Sequence, residues 1–554
     1  MAQHDYEMAA VSTGMKPLRK QRAHARKRVI RWLSAIVLFL SCLLAQYYRL
    51  YMSQWVFYEQ LAAISSNSFE ILDNTQISSP IVQHVSHSFL KSGPVRLDDC
   101  LVKANAQHIR PHVDAWRKQK LPLLASVLRA PDRQEQRNSS LSSPNNHDHR
   151  YWTATFSLSD VFWRINSLPA KKQTRRKYTQ DDDWKCDGQP AVVIGHGCPS
   201  GQTIVIQCAM PSTSMNENDH TLIQYITWQN HSYFVGEHAQ CALQQENDKS
   251  FYDLHDASST PHADKNRLVV ASVLFYKASI PLMLEWMEYH RLVLQVHHFY
   301  IYLLQDETSN LPHLSYVTYI PWFLNPRRTS SWDIFLFQTA SQTDTLHRAR
   351  DYNHHQRNNG IGATIQWIMY NDLDEFFVIH KQDSQAFALE KSVRRMLTLP
   401  QYLNGVDGTD QHHNISEYHD AVQVETMSFG SAIQNNTKSH EVKYNLQYNW
   451  RLNRTFRLKR PKTLVQPSRI DYVNIHWATL PADRIYKPNA WDEIWIQHYK
   501  NPSKKPYARE IRAPTSLVQD SRIRNAYGHA IRTRVEALLR AMNYTPQEDK
   551  EFQG

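Results

Sequence analysis

Asp372 and Asp374, two aspartates separated by one residue, are the clearest candidates for a chemical role in this 554-residue chain. They follow the apolar run 365–370, which predicts a buried strand. Ligands bind at the carboxyl ends of strands in open α/β sheets, and carboxylate oxygens are preferred ligands of Mg²⁺ and Mn²⁺. Such an ion neutralises the charge that develops on a diphosphate leaving group. The local pattern fits equally well a capped turn whose two carboxylates are only solvated.

The elements before the aspartates read as an α/β fold. Residues 268–276 and 297–303 form apolar runs typical of buried strands, and a helix that opens at Ser279 or Pro281 lies between them. Two strands joined by a helix form a βαβ unit, so we expect a parallel sheet. A further helix is predicted at 335–350.

Three segments surround or precede this α/β unit, which we place at 267–505. Short apolar or alternating runs separated by Gly, Pro, Asn and Asp predict a small β-rich domain at 151–245. A polar linker at 246–266 follows it, and a C-terminal helical tail is predicted at 506–554. The β-rich domain is expected either to present a substrate to the α/β unit or to act as a spacer or cap.

The N-terminus predicts a membrane anchor. The formal net charge of the chain is +11, and residues 1–31 hold eight basic residues against two acidic ones. The uncharged run 32–48 is near the lower length limit for a membrane-spanning helix, and no small-residue cleavage site follows it. The positive-inside rule then predicts a cytosolic tail, a single-pass type II transmembrane helix and a stem at 49–150 leading into the lumen. No basic stripe with interleaved aromatics is present, so nucleic acid is not an expected partner.

The cysteines and glycosylation sequons agree with a luminal location. Cys186, Cys198, Cys208 and Cys241 lie close together and could form two disulfides in an oxidising compartment, whereas Cys100 is left over. The connectivity cannot be derived from the sequence. Sequons typical of a glycoprotein occur at Asn138, Asn230, Asn414, Asn435, Asn453 and Asn543.

An ordered set of blocks between residues 267 and 505 resembles the glycosyltransferase family 92 domain. The resemblance begins with Glu285-Trp-Met-Glu-Tyr-His290 and His298-Phe-Tyr-Ile-Tyr302, and Asn371-Asp-Leu-Asp-Glu-Phe376 matches the metal-binding stretch of the family. Further similar blocks follow in order: Gln338-Thr-Ala with Asp344-Thr-Leu-His-Arg348, Ser428-Phe-Gly-Ser431, 462–467, Ile475-His-Trp477 and His498-Tyr-Lys500.

This resemblance implies a GT-A-type nucleotide-sugar-binding domain in a Golgi membrane enzyme that depends on Mn²⁺ or Mg²⁺. It further implies an inverting transfer of a hexose, galactose from UDP-galactose, onto a glycan acceptor. By the same analogy Asp372 and Asp374 hold the metal, and Asp372 also contacts the donor. A late histidine often completes such a metal site; His476 is the first choice and His498 the alternative. Asp306, just past the second strand, is a candidate contact for the nucleotide or sugar.

An inverting transfer also needs a general base for the acceptor hydroxyl. Glu425 and Asp471 are candidates by position, and the sequence does not choose between them. Glu288 and His290 lie on the first helix of the α/β unit, where we expect buried hydrogen bonds that position the first strand.

Two other functions compete with a glycosyltransferase. The first is a non-catalytic glycan-binding or scaffolding membrane protein that keeps the fold, although both carboxylates of the Asp-x-Asp pair are intact. The second is a glycoside hydrolase with paired carboxylates, which would need neither nucleotide nor, usually, metal.

Overall fold

The computed structural model describes parts of the chain between residues 98 and 544. The described residues are 98–109, 112, 121–131, 150–157, 183–196, 203–209, 222–247, 267–276, 278–304, 311–322, 331–358, 363–379, 398–405, 414–430, 444–447, 450–452, 458–470, 473, 476, 480–490, 493–499, 517–519 and 523–544. All of them belong to the unit His84–Gly554. The predicted cytosolic tail, membrane span and first half of the stem lie outside these ranges. Within the described ranges no helix has both the length and the apolar character needed to cross a membrane.

The N-terminal part of the described chain forms two antiparallel four-stranded sheets and two helices. In chain order the elements are α1 (Asp99–Ala104), β1 (Leu123–Pro131), β2 (Arg150–Ser157), β3 (Trp184–Cys186), β4 (Gln189–Pro190), β5 (Val192–His196), β6 (Thr203–Cys208), β7 (Tyr225–Trp228), β8 (His231–Phe234) and α2 (Gly236–Asn247). The strand orders are β1-β2-β6-β5 and β4-β3-β7-β8. Trp184 makes tilted ring contacts with Phe156 and Trp228 in the core that the two sheets share.

The β-rich region begins earlier than the sequence analysis placed it. Strand β1 lies within the predicted stem, but it pairs with β2 along its whole length and buries Leu124 and Val127 in the shared core. Helix α1 also lies in the predicted stem and is joined to α2 by a disulfide. A polar stretch of chain separates β1 from its partner strand β2. Its composition made the whole segment 49–150 resemble a stem, although β1 is buried once it pairs with β2.

Two disulfides are present in this region, and one of them corrects the sequence analysis. Cys186 pairs with Cys208 and joins the two sheets. Cys100 is not left over, because it pairs with Cys241 across a sequence separation of 141 residues and joins α1 to α2. Only the docking of α1 on α2 brings these two sulfurs together, so chain spacing could not reveal the pair.

The C-terminal part of the described chain is built on a large mixed sheet. Its elements are β9 (Arg267–Phe275), α3 (Ile280–Leu292), β10 (His298–Leu303), β11 (Val317–Pro321), α4 (Ser331–Asn358), β12 (Thr364–Tyr370), β13 (Glu375–Ile379), α5 (Leu399–Asn404), α6 (Ile415–Tyr418), β14 (Ala421–Gly430), β15 (Trp450–Leu452), β16 (Leu458–Val465), β17 (Ile485–Tyr486), β18 (Ile494–Tyr499), β19 (Leu517–Gln519) and α7 (His529–Ala541). The main path is β11-β10-β9-β12-β16-β14-β15-β19; β17 and β18 pair with β14, and β13 pairs with β18.

The predicted run of parallel strands forms one half of this sheet, and the other half mixes parallel and antiparallel pairs. Strands β11, β10, β9 and β12 are parallel neighbours, as the βαβ reading predicted. Beyond β12, strand β16 runs antiparallel to both β12 and β14. A βαβ unit constrains only the strands that it connects, so the later strands were free to return in the other direction.

Helix α4 lies between the two parts of the protein. It packs against β9 and β12 and also against β1 and β2, so most of its described side chains are buried, polar ones included. The Oδ2 atom of buried Asp344 accepts hydrogen bonds from Tyr302 Oη and Arg348 Nε, each at 2.6 Å. Arg348 also donates to Gln245 on α2 at 2.9 Å, which links α4 to the β-rich region.

The C-terminal helix α7 is part of the folded unit. It packs on α3 through buried Ile531, Val535 and Leu538. Its Arg534 lies 3.3 Å from the buried carboxylate of Glu288. The α/β unit thus extends past residue 505, where the sequence analysis ended it.

Candidate functional site

The Asp372 to Asp374 turn lies where the sequence analysis expected it, at the carboxyl end of a strand. It joins β12 to β13, and the side chains of Asp372 and Asp374 are 40% and 38% exposed. Strand β16 flanks this turn because its Thr463 is registered with Tyr370 of β12. Strand β18 flanks the other side because its His498 is registered with Glu375 of β13.

Asp372 is held by donors from two different elements. Its Oδ2 accepts a hydrogen bond from Lys462 Nζ at 2.7 Å, and its Oδ1 accepts one from the Gln338 amide on α4. Desolvation acts to raise the pKa of Asp372, but the adjacent ammonium outweighs it and holds the pKa below its usual value. Asp372 is therefore a fixed carboxylate that is ionised at neutral pH.

Glu375 is the buried carboxylate beneath this turn, with its side chain 2% exposed. Its Oε2 accepts the backbone N–H of Asp372 at 2.9 Å and lies 3.2 Å from Lys462 Nζ. Burial raises the pKa of Glu375 to about 7 in spite of the ammonium, and the Asp372 carboxylate adds to that rise. Glu375 supports the turn from inside and presents almost no surface to a ligand.

His498 lies between two of the carboxylates. Its Nε2 is 3.3 Å from Asp374 Oδ2, and its Nδ1 is 3.7 Å from Glu375 Oε1. Burial alone would lower the pKa of His498, but the Asp374 and Glu375 carboxylates raise it to about 9. In this arrangement His498 is an imidazolium at neutral pH, and this alternative metal-binding histidine is in contact with an aspartate of the pair.

His476 is the first choice as a metal-binding histidine. Its Nδ1 lies 3.1 Å from the carbonyl oxygen of Pro461. Because a carbonyl can only accept, Nδ1 carries a proton and donates this hydrogen bond. Metal-binding histidines are oriented in this way by a backbone carbonyl. Pro461 directly precedes Lys462, so the chain brings His476 towards the strand that contacts Asp372.

The residues present fit a hard divalent ion in their chemistry. Asp372 and Asp374 are partly exposed oxygen donors, and His476 is a candidate nitrogen donor. Among the described residues, however, no group of three His, Cys, Asp or Glu side chains is arranged so that it could hold a metal ion. Lys462 and His498 neutralise the two aspartates in this arrangement.

Helix α3 holds the strand that follows the aspartates. Trp286 Nε1 donates to the carbonyl oxygen of Glu375 at 3.0 Å, and Tyr289 Oη donates to that of Phe377 at 2.8 Å. The buried ring of His290 donates from Nδ1 to the Trp286 carbonyl, and its Nε2 lies 3.5 Å from the Phe377 N–H. Burial lowers the pKa of His290 to about 3, so the ring is neutral.

The buried bonding expected of Glu288 and His290 is therefore present, but its targets differ from the expectation. His290 positions β13 and not the first strand. Glu288 bonds Arg291, Tyr316 and Arg534, and so anchors the C-terminal helix. The strand that a helix contacts depends on the order of strands in the sheet, which is a property of the tertiary structure.

A second support reaches the middle of the turn from the same helix. The buried carboxylate of Glu285 accepts the backbone N–H groups of Asn445 and Leu446 at 2.7 and 2.9 Å. The Asn445 side chain lies 3.5 Å from the carbonyl oxygen of Leu373, the residue between the two aspartates. Burial raises the pKa of Glu285 to about 8, and the two N–H groups act in the opposite direction.

The remaining candidates have less structural context. Glu425 is half-buried on β14 and follows Val424, which is registered with Lys462 on β16. Its backbone therefore lies one residue from the level of the site. Asp306 and Asp471 lie outside the described residues.

Sequence reasoning did not single out Lys462, Glu375 or Gln338 as site residues. Each lay inside a block that carried the family resemblance, and Glu375 directly follows Asp374. Strand β16 also contains Lys459 and Arg460, so nothing in its sequence distinguishes Lys462 as the buried lysine that requires a carboxylate partner. The partner itself lies 90 residues away in sequence.

The mixed α/β fold, with a carboxylate pair at the edge of its sheet, has the architecture of a glycosyltransferase domain. Residues 268–530 match the family model of glycosyltransferase family 92, so this part of the chain is similar to that family. The match confirms the resemblance carried by the sequence blocks. A comparison with curated proteins finds no significant match to the chain.

Proposed function

We propose that this protein is a metal-dependent, inverting glycosyltransferase that moves a hexose from a nucleotide-sugar donor onto a glycan acceptor. The observation that carries the proposal is the pair of fixed, partly exposed carboxylates, Asp372 and Asp374, inside a family 92 domain. Galactose from UDP-galactose is the proposed donor by family analogy alone.

Asp372, Asp374 and His476 are the proposed ligands of Mn²⁺ or Mg²⁺. When bound, the ion would supply positive charge to the leaving diphosphate. The protein's own contribution is orientation: Gln338 and Lys462 fix Asp372, and Glu375 ties the backbone of the turn in place. Asp374 and His498 lie on the other side of the turn, where the imidazolium is a further cation near the proposed diphosphate position.

A carboxylate must take the proton of the acceptor hydroxyl in an inverting transfer. Glu425 and Asp471 both stay candidates for this base. Glu425 directly follows Val424, which is registered with Lys462, and this supports it as a candidate, although the register of β14 with β16 shifts between Val424 and Thr426.

The proposed setting is the Golgi membrane, with a single-pass type II anchor at 32–48 and the enzyme in the lumen. The basic tail and the uncharged run behind it support this orientation. The two disulfides support an oxidising compartment.

Donor turnover tests the proposal. The full chain, purified in detergent, is incubated with a panel of nucleotide sugars and glycan acceptors, and free nucleotide is assayed with Mn²⁺ or with a chelator. We expect release from one donor, dependence on the ion and loss in Asp374→Asn, whereas Asp483→Asn on an exposed turn keeps activity.

If no donor is turned over or bound in the presence of metal, the enzyme proposal fails and a glycan-binding scaffold takes its place. Hydrolysis of a glycan without nucleotide or ion would indicate a glycoside hydrolase.

A further inference from the structure

Lys462 is a buried ammonium that contacts two carboxylates of the site. Its side chain is 1% exposed, and Nζ lies 2.7 Å from Asp372 Oδ2 and 3.2 Å from Glu375 Oε2. With so little exposed surface, the ammonium acts on the site through these carboxylates and not by touching a substrate.

The position of this ammonium is set by the sheet. Lys462 lies on β16 next to Thr463, which is registered with Tyr370 near the end of β12. The backbone on both sides of the contact is therefore held by strand pairing. Together with Gln338 on α4, Lys462 fixes both oxygens of Asp372 from two independent elements.

The same contact has an electrostatic consequence for cation binding. A divalent ion on Asp372 would share the carboxylate with the ammonium, and two cations at such short range repel each other strongly where water is scarce. Glu375 offsets part of the lysine charge, but it is buried and cannot move to solvent. The ammonium therefore holds Asp372 in place and, by the same charge, weakens its hold on a cation.

We propose that Lys462 is a positioning residue for Asp372 and that it lowers the affinity of the site for a divalent cation. This inference rests on the proposed metal dependence. Removing the ammonium should strengthen ion binding and weaken turnover. The loss of a lysine with a purely structural role would not have these opposite effects.

The test measures Mn²⁺ binding by titration calorimetry on the full chain, for wild type and Lys462→Met. We expect the variant to bind Mn²⁺ about ten-fold more tightly, because the repelling charge is gone. We also expect its turnover at saturating Mn²⁺ to fall, because Asp372 has lost a donor. Lys462→Arg keeps the charge and should bind Mn²⁺ as wild type does. Lys185→Met removes the charge of an exposed lysine on β3 and should change neither quantity.

Lys462→Gln is the second variant if the methionine chain does not fold, because its amide keeps N–H donors without the charge. Equal Mn²⁺ affinity in wild type and the folded neutral variant overturns this inference and leaves the proposed function standing. A parallel loss of ion binding and turnover also overturns it, because that result indicates a structural lysine. Absence of Mn²⁺ binding in every protein overturns both this inference and the proposed metal dependence.

Discussion

The indole nitrogen of Trp286 donates a hydrogen bond to the carbonyl oxygen of Glu375 at 3.0 Å, and both residues are buried. The same oxygen accepts a second bond, from the Asn371 side chain at 2.8 Å. This carbonyl lies at the start of β13, one residue after Asp374. Helix α3 thus fixes the backbone of the site, which gives a physical reason for the tryptophan in the block Glu285-Trp-Met-Glu-Tyr-His290.

Trp286→Phe should lower both stability and donor turnover. The smaller phenyl ring removes one buried hydrogen bond and leaves a cavity, which together cost about 2–4 kcal/mol in the free energy of unfolding. The control is Tyr289→Phe, which removes the bond to Phe377 from the same helix, two residues further along β13. We expect a smaller stability loss from the control, because only a hydroxyl is removed, and a smaller loss of turnover. Equal turnover losses, measured where both variants are folded, would show that the Trp286 bond does not position the site.

The C-terminal helix should depend on its buried ion pair and not on its exposed one. Arg534→Met leaves Glu288 buried with Arg291 as its remaining basic partner, so we expect a loss of about 2–3 kcal/mol. Arg532→Met breaks an exposed pair with Glu536 on the same helix and should cost less than about 1 kcal/mol. Urea unfolding measures both, and equal midpoints for the two variants would contradict this assignment.

Acid should destabilise the protein partly through buried histidine. Burial, together with the guanidinium of Arg350, lowers the pKa of His347 to about 3. Between pH 6.5 and 3 the unfolded chain therefore binds a proton at this residue that the folded chain refuses, so stability falls as the pH falls.

His347→Gln tests this pH dependence. The wild type should lose about 2 kcal/mol more than the variant between pH 7.5 and pH 5. The comparison uses urea midpoints at the two pH values, so any constant cost of the substitution cancels. The same loss in both proteins would mean that His347 does not titrate as inferred.

The disulfide between α1 and α2 should contribute more stability than the one between the sheets. It joins residues 141 apart, against 22 for Cys186 and Cys208, and a longer loop restricts the unfolded chain more. Replacing Cys100 and Cys241 by alanine should cost about 5 kcal/mol, and replacing the other pair about 3 kcal/mol. Thermal unfolding ranks the two variants, and peptide mapping of the unreduced protein checks the pairing.

Sequence alone determined the local elements and the class of protein. Strands β9, β10 and β12 and helices α3 and α4 are all present where apolar runs and helical spacing predicted them, because burial patterns with periods of 2 and 3.6 are local properties. The position of Asp372 and Asp374 after β12 followed from the same patterns. The ordered blocks were enough for the family, which the match over residues 268–530 confirms.

Only the tertiary structure decided which groups meet at the site. Lys462 reaches Asp372 because β16 runs antiparallel beside β12, and His498 reaches Asp374 because β18 pairs with β13. The pairing of Cys100 with Cys241 and the docking of Arg534 on Glu288 are contacts of the same kind. Contacts between residues far apart in sequence depend on strand order and helix docking, which are set by how all the apolar faces pack together and by no single segment.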